Sequence, residues 1–289
     1  MPQKLTTHVE GIELQASLFR PTASDKNITL FCLPGGGLTK DYFDLAENFS
    51  FVRRMTAKGY AVITMDHPSV ATNTIPDDHP YLTPRIAADY LSKALTSWKD
   101  DNPIIGIGHS MGGMMIMLMQ GNHAPFSALG LFGSSAGGLD WGLSHEEKAY
   151  INDEAKFQQD LEKLSFTKFG GPYSRARGGP SGETIVFGGQ TPELTQRLRD
   201  MSCEMNSTSA MMSMVRGSFK TEVEAIDVPM FFAFGDHDIG IPPEEAPKDF
   251  INAPSSELVI LENTGHNHFA FTSIETLCAK FDYWASNLD

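Results

Sequence analysis

Cysteine is scarce in this 289-residue chain, which contains only three, at Cys32, Cys203 and Cys278. None belongs to a Cys-x-x-Cys pair, so the pattern indicates neither a zinc ribbon nor a disulfide framework. The opening segment MPQKLTTHVEGIEL also lacks the apolar stretch of a secretory signal. We therefore expect a protein of the reducing cytoplasm.

Positive charge and long apolar runs are lacking as well. Lys and Arg number 22 against 36 Asp and Glu, which gives a formal net charge of −14. Such a charge repels phosphate backbones, so we expect no nucleic-acid partner. The most apolar stretches, such as MMIMLM, are far shorter than the roughly 20 residues that cross a bilayer, so we expect no membrane span.

The chain does contain short apolar segments, bounded by turn residues and separated by helical stretches. Six of them read as strands buried on both faces, at residues 28–34, 61–67, 103–110, 128–134, 230–236 and 258–263. Helices are expected at about 47–58 and 84–98, the second with Thr83 as N-cap and an apolar stripe of Ile86, Tyr90, Ala94 and Trp98. This alternation predicts an α/β protein with a mostly parallel central sheet and helices on both faces. An antiparallel hairpin turned at Gly11 is expected to lead into it.

The alternation breaks between about residues 138 and 225, where helix signals replace buried strands. Ser144 and Glu147 have the spacing of a capping box, and the Thr-Pro pair at 191–192 is typical of the start of a second helix. We interpret residues 138–225 as a helical lid inserted into a core made of residues 1–137 and 226–289.

Two G-x-S-x-G patterns compete for the role of a nucleophile elbow, a sharp strand-to-helix turn that lifts a serine clear of the sheet. The first, GHSMG, is centred on Ser110 and runs from a predicted strand straight into the helix-forming MMIMLMQ. The second, GSSAG, is centred on Ser135 and is followed by AGGLDWG, which does not start a helix promptly. This context favours Ser110 as the nucleophile.

A serine nucleophile needs hydrogen-bond donors for the negative charge that develops on the carbonyl oxygen. The segment CLPGGG leaves Gly35, Gly36 and Gly37 with bare backbone N–H groups that a ligand can approach. The same glycines would also suit a tight strand-to-helix turn without any catalytic role. In an oxyanion hole, the second donor would be the backbone N–H of Met111, directly after Ser110.

The base and its orienting carboxylate are expected after two later strands, because ligands gather at the carboxyl ends of strands in α/β sheets. FFAFGDHD places Asp236 and Asp238 beyond one strand, and GHNHF places His266 and His268 beyond the next. His266 comes first off the sheet edge, which favours it as the base and leaves His268 a supporting role. These same carboxylates and imidazoles could instead bind Zn²⁺, but that alternative leaves Ser110 and the glycines unexplained.

In their order along the whole chain, PGGG, GHSMGG, the inserted segment, GDHD and TGH resemble the motifs of the α/β-hydrolase superfamily. The resemblance implies Ser110 as nucleophile, with Gly36 and Met111 as oxyanion donors. It implies Asp238 rather than Asp236 as the acid, since the last Asp of the family's G-x-x-D pattern orients the histidine, and His266 as the base. Some members place the acid after an earlier strand, which makes Asp140 the alternative.

The chain departs from the family pattern at two places. Pro34 stands where the family often has histidine before its glycines, and MDHPSVATN lacks the usual glycine-rich turn. A serine at the nucleophile position argues against the epoxide hydrolases and haloalkane dehalogenases of this fold, which resemble this chain but use aspartate there.

The expected activity is therefore hydrolysis of a small to medium apolar carboxylic ester through an acyl-enzyme, with no cofactor and no metal. Thioesterase, lactonase, amidase and C–C hydrolase activities would use the same triad, and a hydrolase-like small-ligand receptor is the alternative of another class. Further candidates for substrate contact are Gly37, His109, Trp141 and His268. In the lid, methionines could line an acyl pocket or pack on the core. Arg175 and Arg177 could hold a substrate carboxylate or lie in a solvated loop.

Overall fold

The structure is a computed structural model that describes residues 2–76, 79–139, 142–175 and 188–288. The strands are β1 (Gln3–Val9), β2 (Ile12–Phe19), β3 (Thr29–Leu33), β4 (Asp44–Ala46), β5 (Phe49–Ser50), β6 (Ala61–Met65), β7 (Ile104–His109), β8 (Ala128–Phe132), β9 (Tyr173–Arg175), β10 (Glu204–Asn206), β11 (Met230–His237) and β12 (Ser256–Gly265). Eight of them form the main sheet, in the order β1-β2-β6-β3-β7-β8-β11-β12. From β6 to β12 all neighbours pair in parallel, and the predicted N-terminal hairpin adds β1 and β2 antiparallel at one edge.

Helices cover both faces of this sheet, as the sequence predicts. They are α1 (Phe51–Ala57), α2 (Pro84–Trp98), α3 (Met111–His123), α4 (His145–Lys148), α5 (Glu154–Phe169), α6 (Pro192–Asp200), α7 (Ser207–Met214), α8 (Lys220–Glu224) and α9 (Ile274–Ala285). Residues 31 and 33 of β3 pack with α2 and α3, whereas residues 30 and 32 pack with α1 and α9. Because side chains alternate along a strand, one buried strand thus serves two hydrophobic layers.

The central strands confirm the prediction of burial on both faces, but the last strand does not. Every residue of β3, β6, β7 and β8 is buried. Of the ten residues of β12, only Leu261 and Thr264 are buried, and Ile260 is 43% exposed. The strand pairs with β11 alone, so it forms the edge of the sheet. A continuous apolar run does not by itself distinguish an edge strand from a central one.

Helix α2 has the predicted bounds. Of the predicted stripe, Ala94 is buried and Tyr90 and Trp98 pack against the core, whereas Ile86 is 40% exposed. The buried face also includes Ala87, Ala88, Leu91 and Leu95, and its small alanines let the helix lie close to α3 and β1.

Helix α1 begins at Phe51, later than predicted, because the β4–β5 pair takes up residues 44–50. Its first turn is capped by the Ser50 hydroxyl, which accepts from the Arg53 backbone N–H at 2.9 Å.

Between β8 and β11, the described residues form α4 to α8 together with one small antiparallel pair, β9 and β10. The capping box of Ser144 and Glu147 is formed, and the Thr191 hydroxyl caps α6. The sequence did not indicate β9 or β10, because three-residue strands are too short to show a period. In the part of the chain that the structure describes, no helix has both the length and the apolar character required to cross a membrane.

Candidate active site

Ser110 lies on a sharp turn between β7 and α3, with φ 53° and ψ −123°. L-residues rarely adopt this conformation, and its strain is typical of a functional turn. The flanking glycines are required by close contact: a Cβ on Gly108 would lie 2.3 Å from the Gly113 Cα, and one on Gly112 would lie 2.3 Å from the Leu33 carbonyl oxygen. Ser110 thus stands at the carboxyl end of β7, directly before the N-terminus of a helix of 13 residues.

Ser135 has neither feature of such a turn. Its φ is not positive, and among the described residues the next α-helix begins at His145. The Ser135 hydroxyl accepts a hydrogen bond from the Gly137 backbone N–H at 3.2 Å. It is a loop serine, although it lies near Ser110.

The glycine loop after β3 approaches this turn closely. A Cβ on Gly35 would lie 2.8 Å from Nδ1 of His109, and one on Gly36 would lie 3.1 Å from Sδ of Met111. Gly37 has φ +80°, and its carbonyl accepts from the Cys203 backbone N–H at 2.9 Å. Gly35 and Gly36 therefore face the elbow, whereas Gly37 contacts the segment between β8 and β11.

Two buried residues after β6 hold the ends of this loop. The Asp66 carboxylate, 1% exposed, accepts from the Lys40 backbone N–H at 2.6 Å and from the Thr72 hydroxyl at 2.5 Å. Nε2 of His67 donates to the Pro34 carbonyl at 2.8 Å, and burial lowers the pKa of this imidazole. Sequence reasoning missed both residues, although their place just after a buried strand was a usable signal.

Asp238 and His266 form the pair that the sequence predicted. Nδ1 of His266 donates to Oδ1 of Asp238 at 2.6 Å, and both side chains are about 95% buried, at 5% and 4% exposure. The Asp238 carboxylate also accepts from the backbone N–H groups of Ile239, at 2.7 Å, and Gly235, at 3.2 Å. Such a fully bonded carboxylate holds an imidazole in one tautomer, with Nε2 free to accept a proton.

His268 donates to the other carboxylate oxygen. Its Nε2 lies 2.7 Å from Oδ2 of Asp238, and its side chain is fully buried, so it sits behind Asp238 rather than at a cavity wall. Burial raises the pKa of Asp238, but the facing His266 and His268 imidazoles outweigh it and hold that pKa well below its usual range. Asp238 is therefore a carboxylate at neutral pH.

Two further residues brace the pair. Gly133, at φ +56°, lies where a Cβ would come within 3.1 Å of both Oδ2 of Asp238 and Nδ1 of His266. Nε2 of His109 donates to the His266 carbonyl at 2.8 Å, and burial, with the neighbouring imidazoles, lowers the pKa of His109 well below its ordinary value. His109 is therefore neutral and fixes the backbone of His266.

Asp236 has a different position. Its carboxylate accepts from the backbone N–H groups of Asn263, at 2.8 Å, and Thr264, at 2.9 Å, and these bonds lower its pKa. The residue itself is exposed. It braces the turn that leads to His266 and does not contact the imidazole.

A cavity of about 180 Å³ is lined by Ser110, His266, Gly36 and Met111. Most of its remaining wall is apolar: Leu38, Leu139, Phe169, Met205, Ala210, Met214 and Ile239. A smaller chamber of about 40 Å³ also borders Ser110 and His266. Trp141, the alternative acid Asp140 and Arg177 lie outside the described residues.

The Zn²⁺ alternative needs several ligands around one point. Among the described residues, no group of three or more His, Cys, Asp and Glu side chains is arranged to hold a metal ion. The Asp238 oxygens instead face one imidazole N–H each, which is an arrangement for orienting histidines.

The model of the alpha/beta hydrolase family matches residues 30–274. A thermophilic esterase from Thermogutta terrifontis is 17% identical, with a TM-score of 0.63 over 99% of this chain and 98% of its own. A bromoperoxidase from Bacillus anthracis (12% identity, TM-score 0.67, 99% and 100% coverage) and a thioesterase domain from the curacin biosynthetic pathway (13%, 0.65, 97% and 98%) are also similar. At such identities the likeness concerns the fold alone, and a search of curated proteins finds no match. Since the family model covers well over half of its length, the chain belongs to the alpha/beta hydrolase family.

Proposed function

We propose that this protein is a serine hydrolase that cleaves a small to medium apolar carboxylic ester through an acyl-enzyme. The observation that carries the proposal is the buried Asp238–His266 pair, bonded at 2.6 Å, whose His266 lines the same cavity as the strained Ser110. A nucleophile, a base and an orienting carboxylate in that relation form the constellation that acyl transfer requires.

In the first half of the reaction, Nε2 of His266 accepts the Ser110 proton as the serine oxygen attacks the ester carbonyl. The backbone N–H groups of Gly36 and Met111 are the proposed donors to the resulting oxyanion. Met111 is the first residue of α3, so the positive end of the helix dipole adds to the stabilisation. His266 then gives the proton to the leaving alcohol, and the acyl group stays on Ser110.

In the proposal, Asp238 keeps the Nδ1–H tautomer of His266 and stabilises the imidazolium that forms during attack. His268 keeps the Asp238 carboxylate in place through its second oxygen, at 2.7 Å. The catalytic base is thus oriented by two further side chains, Asp238 and His268.

The composition of the main cavity wall favours a substrate with an apolar acyl group. Among the described residues that line it, none is Asp, Glu, Lys or Arg, and the segment 138–225 contributes Leu139, Phe169, Met205, Ala210 and Met214. An uncharged wall gives no partner to a charged acyl chain, so an apolar chain is favoured. Because this segment roofs the cavity, we propose that it acts as the lid of a core made of residues 1–137 and 226–289.

Other substrates would use the same groups. Thioesters, lactones, amides and C–C bonds next to a carbonyl all pass through an attack by Ser110, and the fold does not choose among them. Measuring activity on a panel of these substrates would identify the type of bond that the protein cleaves. A receptor of hydrolase-like structure would differ by turnover, because it would process its ligand once or very slowly.

The nucleophile can be tested by covalent labelling. A fluorophosphonate probe should add one adduct per chain, on the peptide that contains Ser110, because this serine stands on the strained turn beside the proposed base His266. Peptide mass spectrometry identifies the modified residue, and Ser135→Ala is the matched control that should still be labelled. Modification of Ser135, or unmodified protein with full esterase activity, would contradict the assignment.

Acyl length provides a test of the cavity. Its volume of about 180 Å³, at roughly 30 Å³ for each water-sized group, accommodates about six heavy atoms. Among p-nitrophenyl esters, kcat/KM should rise by about fourfold per CH₂, the equivalent of about 0.8 kcal/mol, up to a chain of about six carbons and then fall.

Ala210→Leu narrows the same cavity and should move that maximum toward shorter chains, while hydrolysis of the acetate ester serves as the internal control. A flat series in the unmodified protein, or an unmoved maximum in the variant, would show that the acyl group lies elsewhere.

A further inference from the structure

The small chamber of about 40 Å³ is a separate feature of the site. It shares Ser110 and His266 with the main cavity but extends to the turn after β8, where Gly133, Ser134 and Ser135 line it. Ser110 and His266 therefore belong to the walls of two spaces of different size and chemistry.

The chamber has hydroxyl groups where the main cavity is largely apolar. The Ser135 hydroxyl accepts from the Gly137 N–H at 3.2 Å, so its own proton remains to be donated. The Ser213 hydroxyl donates to the Ala210 carbonyl at 2.8 Å, so its lone pairs remain to accept. Ser134, 7% exposed, can do either.

The volume of the chamber limits which molecules fit into it. At roughly 30 Å³ for each water, a chamber of about 40 Å³ accommodates about one water, which needs two to four polar partners. An acyl chain of several carbons is too large for this volume, although Met114, Leu139, Phe234 and Ile239 also line the chamber.

We propose that this chamber supplies the water that hydrolyses the acyl-enzyme, with Ser134 and Ser135 as positioning residues; this inference rests on the proposed serine hydrolase function. With an acyl chain in the main cavity, the chamber remains open next to His266, and Ser134 and Ser135 are the hydroxyl groups that line it alone. The chamber water gives a proton to Nε2 of His266, and its oxygen bonds to the acyl carbonyl carbon. The bond from that carbon to Oγ of Ser110 then breaks, Oγ takes the proton from His266, and the carboxylic acid leaves.

The double variant Ser134→Ala, Ser135→Ala removes the two hydroxyls found only in the chamber. The enzyme is acylated with excess p-nitrophenyl butyrate, the nitrophenolate burst gives the acylation rate, and intact mass follows the loss of the butyryl group. Deacylation should slow about tenfold, the order expected for lost hydrogen bonds to one water, while acylation changes less than about twofold. In the steady state kcat and KM should therefore fall together, with kcat/KM unchanged.

Ser127→Ala is the matched control, since Ser127 precedes β8 whereas Ser134 and Ser135 follow it, and its rates should stay those of the unmodified protein. Fluorophosphonate labelling needs the triad but no water, so an unchanged labelling rate shows that each variant is folded. If the double variant does not fold, Ser135→Ala is measured in the same way, with an expected slowing of about threefold.

Unchanged decay of the butyryl-enzyme in a variant that labels normally would overturn the proposal. A fall in acylation by the same factor as deacylation, or a shifted preference between acetate and butyrate esters, would also overturn it and make the chamber an acyl pocket. Absence of both ester hydrolysis and a butyryl adduct on the unmodified protein would instead refute the proposed serine hydrolase function itself.

Discussion

Asp238→Asn should lower kcat by about 10⁴-fold, because an amide cannot hold the base in its productive tautomer. Each Asp238 oxygen accepts one imidazole N–H, at 2.6 Å from His266 and 2.7 Å from His268, and one backbone N–H. In either orientation, the NH₂ group of an asparagine would face two N–H donors. The negative charge that stabilises the imidazolium would also be lost.

Steady-state kinetics of Asp238→Asn and Asp236→Asn test this assignment together. Asp236 accepts from the Asn263 and Thr264 backbone, so its amide variant should lower the melting temperature slightly and keep kcat within about tenfold. Circular dichroism of both variants separates misfolding from lost catalysis. If Asp236→Asn lost most of its activity, or if Asp140→Asn did so while Asp238→Asn stayed active, the triad acid would be Asp236 or Asp140 instead of Asp238.

The part of the fold that sequence could predict is the part encoded by local pattern. The strands β3, β6, β7 and β8 are short apolar runs between turn residues, and the helix after Ser110 follows its strand without a gap. The elbow was separated from the GSSAG alternative because helix propensity differs after the two serines. Each of these inferences uses neighbours along the chain.

The residues that sequence missed depend on neighbours in space. Asp66 and His67 reach Lys40 and Pro34 because β6 lies beside β3 in the sheet, an adjacency that no local pattern records. Gly133 backs the Asp–His pair because β8 lies between β7 and β11. The exposed face of β12 follows from its edge position in the same strand order.

The structure shows what surrounds Pro34, one of the positions at which the sequence departs from the family pattern. Pro34 stands where the family often has a histidine. His67, which follows β6, donates to the Pro34 carbonyl and so anchors the loop from its side.

His266→Ala should lower kcat/KM by at least about 10³-fold and remove the acid limb of its pH profile. The base must be neutral to accept the Ser110 proton, so activity falls as the pH drops and this imidazole is protonated. Without the base, the remaining activity no longer depends on that protonation. The pH dependence of kcat/KM, measured for the unmodified protein and the variant, reports both effects.

His268→Ala should instead keep the acid limb and lose less than about 10²-fold in kcat/KM, because His268 contacts Asp238 and neither cavity. His268→Gln restores an N–H donor toward Asp238 and should recover part of the loss. If His268→Ala removed the limb and His266→Ala kept it, the base would be His268.

His268→Ala should also change the pH at which the protein unfolds in acid, in a direction that a loss of packing alone does not predict. A carboxyl group whose pKa is lower in the folded than in the unfolded state stabilises the fold at pH values above the unfolded pKa. That contribution is lost as the pH falls through the pKa of the folded state. Since His268 helps to hold the pKa of Asp238 low, His268→Ala should raise that pKa and move the acid unfolding midpoint to higher pH. His268→Gln, a neutral donor that still satisfies the oxygen, should shift it less. Equal midpoints in both variants and the unmodified protein would mean that His268 fills space without supporting the carboxylate.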